Sequence, residues 1–426
     1  MSFVFSRRFM PLFITQFFGA VNDNFLKNAM LIMITYQMGR SGSESGMLCN
    51  LAAGLFILPY FLFSSLAGQL SDRYDKAVFC RWIKLWEVCL MLLAGVGFRF
   101  RSLELLMIIL FLMGAQSTFF SPAKYALLPT HLKPEELLSG NAWISGGTYL
   151  AILCGVIGGG VAIYHGELIS AAALIIMAVI GLAASCRIPT APPVAGDRKI
   201  NFNLFAETWN ILVIDIWRNK VIRKCVYSVT IFWLAGSLLI TLIPLFTKSC
   251  LGGNEMVCTF FFVLFSVGVG VGAAAANWIL GGKTQINKKC IASILLMGSL
   301  TFYLAYLAGS LPYQPQLRPT AELLKTFLFY RVSLLLLLIA VCGGIWSVPL
   351  QAVMQKTAEP GKISRIIAGN NIVNSFYMAA GAVVSGLLLK MNVGLQWNFA
   401  GLAAVIIYAA LFTLPLVKGA DRSQQE

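Results

Sequence analysis

Long apolar stretches recur along the whole chain, and short polar segments separate each one from the next. A helix of about 20 apolar residues spans the roughly 30 Å hydrocarbon core of a bilayer. The apolar runs are continuous rather than alternating, which is typical of membrane helices and not of membrane strands. The pattern predicts an all-α polytopic membrane protein with twelve transmembrane helices, at residues 9–37, 46–70, 77–98, 103–127, 138–164, 168–187, 226–249, 256–280, 289–311, 326–354, 367–389 and 396–417.

A polar break at residues 188–225 divides the twelve stretches into two sets of six. The break begins with three prolines and continues with several Lys and Arg residues. Within it, residues 202–217 can form an amphipathic helix that lies on the membrane surface. We therefore predict three parts of the chain: a six-helix bundle at 1–187, a cytoplasmic linker at 188–225 and a second six-helix bundle at 226–426.

The two halves resemble each other where their fifth helices begin. Gly140-Asn141 opens the fifth stretch and Gly369-Asn370 opens the eleventh, about half the chain length further on. Both stretches are rich in small residues, which let helices approach closely in lipid. The chain is therefore expected to be a duplicated six-helix unit, with two pseudo-symmetric bundles.

Composition supports a membrane protein and charge sets its orientation. The chain is 58% hydrophobic and 12% charged, with a mean hydropathy of +0.79, whereas soluble domains are about a quarter charged. The net charge of +15 lies in short loops, so it indicates membrane topology rather than a nucleic-acid surface. With the N-terminus inside, twenty-one of the 32 Lys and Arg residues fall in cytoplasmic segments and seven in outer segments. Both termini are therefore predicted to be cytoplasmic.

The cysteines and the absence of nucleotide motifs limit the chemistry. The ten cysteines include no CxxC pair, and most lie inside apolar runs, so we predict no metal and no cofactor. Cys250 and Cys258 flank one predicted outer loop and could form a disulfide in an oxidising compartment. No phosphate-binding Gly-rich loop is present, which excludes an ATP-driven pump.

A charged loop between the second and third stretches carries the first recognisable motif. Residues 68–76 read GQLSDRYDK, which resembles the loop signature of the major facilitator superfamily. Gly68 lets two helices cross closely, Asp72 can accept backbone N–H groups at a neighbouring helix end, and Arg73 and Lys76 hold the loop in the cytoplasm. The motif therefore predicts a latch between the two halves. The copy expected in the second half, at residues 281–283, is degenerate.

The first stretch contains charge at membrane depth, where ionisable groups are costly and usually face a cavity or a partner. Asn22, Asp23, Asn24 and Lys27 lie near its middle. Asp23 and Lys27 are four residues apart, share a helix face and can pair. They form either a neutral structural pair or a substrate or gating group.

Other polar residues at membrane depth have two interpretations each. Lys124 follows a proline at the cytoplasmic end of the fourth stretch, where it either snorkels to the interface or reaches inward. At the start of the third stretch, Arg81 and Lys84 could be interfacial, whereas Glu87 lies deeper and can pair with Lys84.

Amides and an aromatic pair complete the set of candidates. Asn370 and Asn374 share one face of the eleventh stretch, with Asn141 as the repeat-related residue, and such amides either join helices or bind a solute. Trp233, beside Phe232, is either lipid-facing or part of an aromatic cavity wall.

Several of these motifs together resemble the bacterial lysophospholipid transporter family. The matching segments are 16–24 (QFFGAVNDN), 121–125 (SPAKY), 140–141, 232–233, 348–350 with Gln355, and 369–370. The resemblance implies a flippase that moves lysophosphatidylethanolamine and lysophosphatidylglycerol across the bacterial inner membrane for reacylation. It also implies that Asp23 and Lys124 contact the headgroup or gate the cavity, and that acyl chemistry belongs to a separate acyltransferase.

One position departs from that family and keeps other cargoes open. Single-domain members carry an arginine in helix seven where this chain has Ile240. An anionic phosphate in a low-dielectric cavity needs a compensating cation. The alternatives are therefore a porter for another anionic or amphipathic metabolite, such as a carboxylate siderophore, or a drug exporter.

An intramembrane enzyme and a receptor are the two other classes of membrane protein to compare with a transporter. An intramembrane enzyme needs a nucleophile and a base facing each other at membrane depth, and no such constellation is visible; a receptor needs no alternating cavity. We therefore predict a monomeric secondary transporter and not an enzyme, in which Asp23 either carries a proton or stays paired with Lys27. The predicted substrate contacts are Asp23, Asn24, Lys27, Lys124, Asn141, Trp233, Asn370 and Asn374, and the predicted gating residues are Gly68, Asp72, Arg73 and Lys76.

Overall fold

The computed structural model describes residues 3–34, 42–193, 200–281, 284–314, 316–359, 361–391 and 393–417. Regular structure within these residues is helical throughout, as the sequence predicts. Part of the degenerate repeat of the loop motif, residues 282 and 283, lies outside the described residues. The helices are α1 (Met10–Ile32), α2 (Gly42–Arg73), α3 (Lys76–Arg99), α4 (Leu103–His131), α5 (Leu137–His165), α6 (Glu167–Ser185), α7 (Leu204–Asn210), α8 (Lys220–Leu251), α9 (Glu255–Ile279), α10 (Lys288–Ser310), α11 (Thr320–Leu323), α12 (Phe327–Thr357), α13 (Ile363–Lys390) and α14 (Leu395–Thr413).

Each predicted apolar stretch corresponds to one long helix. Among the described residues, ten helices are long and apolar enough to cross a membrane. The two other long helices, α1 and α3, carry the amides and charges at membrane depth. The predicted spans are thus confirmed for ten helices, and for α1 and α3 they stay a prediction. The predicted surface helix is also present, because α7 continues as a π-helix over Ile211–Trp217.

Polar side chains next to the apolar runs decide where several helices begin. The Asp75 carboxylate accepts hydrogen bonds from the backbone N–H groups of Ala77 and Val78 and so caps α3. Asn254 and Asn287 cap α9 and α10 in the same way. These caps satisfy N–H groups that have no partner inside the helix, which stabilises each start by about 1 kcal/mol.

Small residues set the spacing between helices in the first half. A Cβ atom at Gly114 of α4 would lie 2.3 Å from the backbone oxygen of Phe56 in α2. A Cβ atom at Gly159 of α5 would lie 2.5 Å from the backbone oxygen of Phe25 in α1. Only glycine permits these approaches, so the glycine-rich stretches mark helix contacts as the sequence suggests.

The same pairings recur in the second half of the chain. A Cβ atom at Gly344 of α12 would lie 2.3 Å from the backbone oxygen of Val269 in α9, which repeats the contact of α4 with α2. Likewise α10 packs along α14 as α3 packs along α6. The repeated pairing agrees with two pseudo-symmetric bundles of six helices.

The chain packs into two compact units. The first contains Met1–Gly140, Leu150–Lys220 and Gln355–Ser375. The second contains Asn141–Tyr149, Val221–Met354 and Phe376–Glu426. The linker helix and the start of α13 therefore pack with the first unit. The assignment of whole bundles to 1–187 and 226–426 stays a prediction.

Candidate functional site

The polar residues of α1 occupy two adjacent faces of that helix. Asn22 is fully buried, whereas Asp23, Asn24, Lys27 and Asn28 are half-buried. Positions three and four residues apart share a helix face, so the half-buried residues form one continuous polar stripe. In an apolar helix such a stripe is costly, which favours contact with water or a polar ligand.

A complete buried ion pair lies on α3 behind this stripe. The Lys84 ammonium lies 2.5 Å from the Glu87 carboxylate, and the two side chains are 1% and 0% exposed. Asn22 and Gln116 also donate hydrogen bonds to Glu87, at 2.9 and 3.0 Å. The predicted pairing of Lys84 with Glu87 is confirmed, but the expectation of an interfacial Lys84 is wrong. Three donors on one carboxylate supply the compensation that a buried charge needs.

Neighbouring side chains leave just enough room for the Lys84 ammonium. A Cβ atom at Gly19 of α1 would lie 2.3 Å from the Lys84 Nζ atom. The Phe120 ring of α4 lies on another side, with its centroid 4.8 Å from Nζ. The buried pair thus joins α1, α3 and α4, and it explains why the motif in α1 contains a glycine at this position.

Asp23 and Lys27 do not form the expected ion pair within the described residues. Ser117 of α4 donates a hydrogen bond of 2.6 Å to Asp23 Oδ2, and Asp23 Oδ1 is buried without a hydrogen-bond partner there. The Lys27 ammonium lies 5.4 Å from the centroid of the Phe56 ring of α2. Spacing along one helix made the pair possible, but Asp23 bonds Ser117 and Lys27 lies over Phe56, so the two charges attract each other without direct contact.

Lys124 is half-buried in α4. Its ammonium lies 4.6 Å from the centroid of the Tyr125 ring. No described carboxylate forms an ion pair with Lys124. Another residue of the same helix, Ser117, donates a hydrogen bond to Asp23. Lys124 is therefore a half-buried cation that the Asp23 carboxylate attracts without a direct ion pair among the described residues.

The loop motif lies against the start of α13 in the first unit. A Cβ atom at Gly68 would lie 2.9 Å from the Ala368 Cβ and 3.2 Å from the Ser364 backbone oxygen. Ser71 donates a hydrogen bond of 3.0 Å to Ser364. The motif therefore makes the close helix crossing that its glycine predicts.

The charged residues of the motif differ in burial. Asp72 is 3% and Lys76 2% exposed, whereas Arg73 is half-buried. The Lys76 backbone N–H donates to the Ala191 oxygen. Lys76 is therefore packed under the start of the linker. The orientation rules alone would instead suggest a loop residue exposed to solvent.

A second ion-pair cluster, which the sequence did not reveal, ties α13 to the linker helix. Arg365 of α13 donates from Nε to Asp215 Oδ2 at 2.8 Å and from Nη1 to Glu207 Oε1. All three side chains are nearly buried. Lys362 also reaches Asp215, and hydrogen bonding to Glu359 with the charge of Asp215 holds the pKa of Lys362 above its ordinary value. The sequence signal that could have indicated this cluster is the spacing of Glu207 and Asp215, which are eight residues apart in an amphipathic segment.

The asparagines of α13 and α5 are buried. Asn370 and Asn374 are 3% and 7% exposed, and Asn141 is fully buried. Asn371, which lies between Asn370 and Asn374 in the sequence, donates a hydrogen bond of 2.9 Å to Ser121 of α4. This bond shows that an amide next to the predicted contacts joins α13 to α4.

Trp233 belongs to an aromatic cluster in the second unit. Its ring stacks on Tyr149 at 6.5 Å and meets Phe232 edge-on at 5.7 Å. Phe232 in turn contacts Trp346, which is fully buried. Trp233 thus packs against other aromatic rings, and its place in a cavity wall stays a prediction. Ile240, two turns further along α8, is 51% exposed.

Cys250 and Cys258 are both free thiols, so the considered disulfide is not formed. The Cys250 thiol lies against the Ala308 carbonyl oxygen instead. Within the described residues, no group of three or more His, Cys, Asp or Glu side chains is placed to hold a metal ion.

Comparison with protein families gives one match over most of the chain. The sequence profile of the Major Facilitator Superfamily matches residues 12–381. The lysophospholipid transporter LplT of Photorhabdus laumondii is 25% identical over 399 residues, which cover 91% of this chain and 90% of that protein.

Solved structures of transporters share the fold. The human organic anion transporter MFSD10 superimposes with a TM-score of 0.74 at 13% identity, over 95% of this chain and 98% of that one. The Escherichia coli fucose:proton symporter FucP superimposes with a TM-score of 0.68 at 13% identity, over 96% and 99%. At these identities the likeness shows the fold alone.

Proposed function

The chain belongs to the major facilitator superfamily, and we propose that within it the protein is a lysophospholipid flippase. It moves lysophosphatidylethanolamine and lysophosphatidylglycerol across the bacterial inner membrane by alternating access. The relatives that are named lysophospholipid transporters support this cargo.

The half-buried polar stripe of α1 is the observation that carries the proposal. A zwitterionic headgroup offers an ammonium and a phosphate. The free Oδ1 of Asp23 suits the ammonium, and Lys27 or Lys124 suits the phosphate because charge-assisted hydrogen bonds are strong at low dielectric. The buried pair of Lys84 and Glu87 supports the stripe from behind.

The remaining predicted contacts keep their assigned roles in the proposal. Asn24, Asn141, Trp233, Asn370 and Asn374 contact the cargo during transport. Gly68, Asp72, Arg73 and Lys76 form the latch, whose contact with α13 must loosen in each cycle. The contact of Gly68 with Ala368 supports a latch at this point.

The protein works as a monomer with both termini in the cytoplasm. The bias of Lys and Arg along the sequence supports this orientation. A separate acyltransferase then acts on the lipid that arrives at the inner leaflet.

A second candidate is a porter for another anionic or amphipathic metabolite. Ile240 favours it, because this exposed position of α8 carries no cation where the lysophospholipid transporter family has one. Carboxylate siderophores and drugs belong to this class of cargo.

Lipid uptake decides between the two candidates. Spheroplasts that lack the protein are expected to lose uptake of labelled lysophosphatidylethanolamine, and the purified protein in liposomes is expected to move it chemically unchanged. Normal uptake in the deletion would contradict the lipid cargo, and a modified product would indicate an enzyme. If Asp23→Asn leaves transport intact and independent of pH, Asp23 is not a proton carrier.

A further inference from the structure

The linker helix, formed by α7 and its π-helical continuation, has an unusual distribution of side chains. Its acids face inward, because Glu207 and Asp215 are 4% and 7% exposed. Its aromatic rings face outward, because Phe205, Trp209 and Trp217 are 86%, 69% and 64% exposed. A helix that only covered the protein would have the opposite arrangement.

The helix geometry explains why the two sets separate so cleanly. Residues 205 and 207 are about half a turn apart, whereas 205, 209 and 217 recur at multiples of four. The Arg218 N–H bonds the Val213 oxygen five residues earlier, as in a π-helix. This wider turn keeps Asp215 in line with Ile211 and Glu207, on the buried face.

The buried face is held in place, so the helix cannot turn its rings inward. Arg365 of α13 bonds both Glu207 and Asp215. Ile211 and Ile216 pack on the backbone of α13 at Gly369, where a Cβ atom would meet both side chains within 2.7 Å. Turning the helix would leave two buried acids without their cation, which is strongly unfavourable.

The exposed face has the chemistry of a membrane interface. Exposed basic residues flank the rings: Arg187 lies before the linker, and Arg218 and Lys220 follow Trp217. Trp with Lys and Arg is the residue combination that lies at headgroup level and attracts anionic lipids. The chain leaves the apolar helix α6 at Ser185 and enters α8 at Lys220, so the linker starts and ends at the membrane surface.

We propose that this aromatic face is a docking surface for anionic phospholipids of the cytoplasmic leaflet. The rings of Phe205, Trp209 and Trp217 insert at the boundary of headgroups and acyl chains, and Arg218 and Lys220 pair with phosphates. The surface serves the transporter whatever its cargo, so it does not depend on the proposed function. Through Arg365 it also fixes the start of α13 relative to the membrane.

Photocrosslinking in the full-length protein tests the proposal. Trp209 is replaced by p-benzoylphenylalanine, and the protein is irradiated in nanodiscs of phosphatidylcholine with or without phosphatidylglycerol. Mass spectrometry is expected to find a lipid adduct at 209, severalfold more abundant when phosphatidylglycerol is present. A protein adduct or no adduct would overturn the membrane surface, and equal yields in the two lipids would overturn its preference for anionic lipid.

A control position for the photoreactive residue and a set of charge variants make the result specific. The same photoreactive residue at Glu359, which is 69% exposed in the loop before α13 and outside the aromatic face, is expected to give much less lipid adduct than at 209. Arg218→Gln with Lys220→Gln is expected to lower the phosphatidylglycerol adduct about fivefold for each charge removed. Lys133→Gln removes one exposed charge elsewhere and is expected to change nothing; an equal loss in this variant would show a net-charge effect and overturn the site. Gel filtration before irradiation confirms that each variant is folded.

Discussion

Lys84 and Glu87 show how far a single buried charge depends on its neighbours. Each side chain is essentially inaccessible, and the carboxylate accepts from Lys84, Asn22 and Gln116. Removal of one partner from a buried pair leaves an uncompensated charge, whereas removal of both leaves only the uncharged amides of Asn22 and Gln116 without their acceptor.

Glu87→Gln is therefore expected to destabilise the protein by about 3–5 kcal/mol, because Lys84 then stays buried without its counter-charge. Thermal unfolding in detergent measures the effect. The double variant Lys84→Met with Glu87→Met is the control and is expected to be less destabilised than the single variant, because it leaves the buried amides of Asn22 and Gln116 without their acceptor but no buried charge. If the double variant is as unstable as the single one, the charge pair is not the cause.

At Ile240 this sequence lacks the arginine that the lysophospholipid transporter family carries at the corresponding position. The Ile240 side chain is half exposed on α8, seven residues after Trp233. Ile240→Arg is expected to lower the KM for lysophosphatidylglycerol about tenfold, since about 1.4 kcal/mol of added attraction corresponds to that factor. Transport by purified protein in liposomes measures it, with Ile240→Gln as the uncharged control. An equal gain with Gln would show that polarity rather than charge matters.

At the scale of helices, glycine contacts decide how closely α1 and α5 pack. The two helices approach at Gly155 and Gly159, whose missing Cβ atoms would meet the backbone of α1. The glycine-rich helix is visible in the sequence, but the face that packs on α1 is not, because glycines occur on several sides of α5.

Gly159→Ala is expected to cost about 1–3 kcal/mol, since the added Cβ would lie 2.5 Å from a backbone oxygen that cannot turn away. Gly158→Ala on the same helix meets only the Phe25 ring, at 3.3 Å, and is expected to cost much less. Thermal unfolding of the two variants compares them directly. Equal losses would contradict a backbone contact at Gly159.

The ion pairs of Arg365 make the linker helix part of the first unit. Arg365→Gln is expected to loosen this helix, because Glu207 and Asp215 then lose their shared cation. Hydrogen exchange of residues 204–217 should rise at least about tenfold. Lys362→Gln removes a cation that is 38% exposed and 3.7 Å from Asp215, and it should change exchange little. Unchanged exchange in Arg365→Gln would contradict the anchoring role.

For the whole molecule, the proposed alternating access requires that the proposed latch at α2 and α13 can loosen. Ser71 and Ser364 lie with their hydroxyl oxygens 3.0 Å apart at this contact, a separation that suits a disulfide between substituted cysteines.

Ser71→Cys with Ser364→Cys is thus expected to transport at background rate when oxidised and at near wild-type rate after reduction. Uptake into liposomes with and without dithiothreitol measures the difference, and the two single variants should be insensitive to it. Full transport by the crosslinked protein would show that this contact stays closed throughout the cycle.

The long helices were predictable because the length of an apolar run is a local property of the sequence. Most helices extend a few residues beyond the runs, for example α8 from Lys220 and α13 from Ile363, because polar residues can continue a helix outside the hydrocarbon. The loop motif was also predictable, since Gly68 and its spacing determine a close crossing whatever the partner helix is.

Partners of charged side chains were not predictable in the same way. The sequence by itself determined an all-helical membrane protein of the major facilitator superfamily, with charged residues at membrane depth in α1 and α3. Only the tertiary structure decided that Asp23 bonds Ser117 rather than Lys27, and that Arg365 joins two acids about 150 residues earlier in the chain. Helix propensity and hydropathy act between near neighbours along the chain, whereas a long flexible charged side chain finds its partner among residues that packing alone brings together.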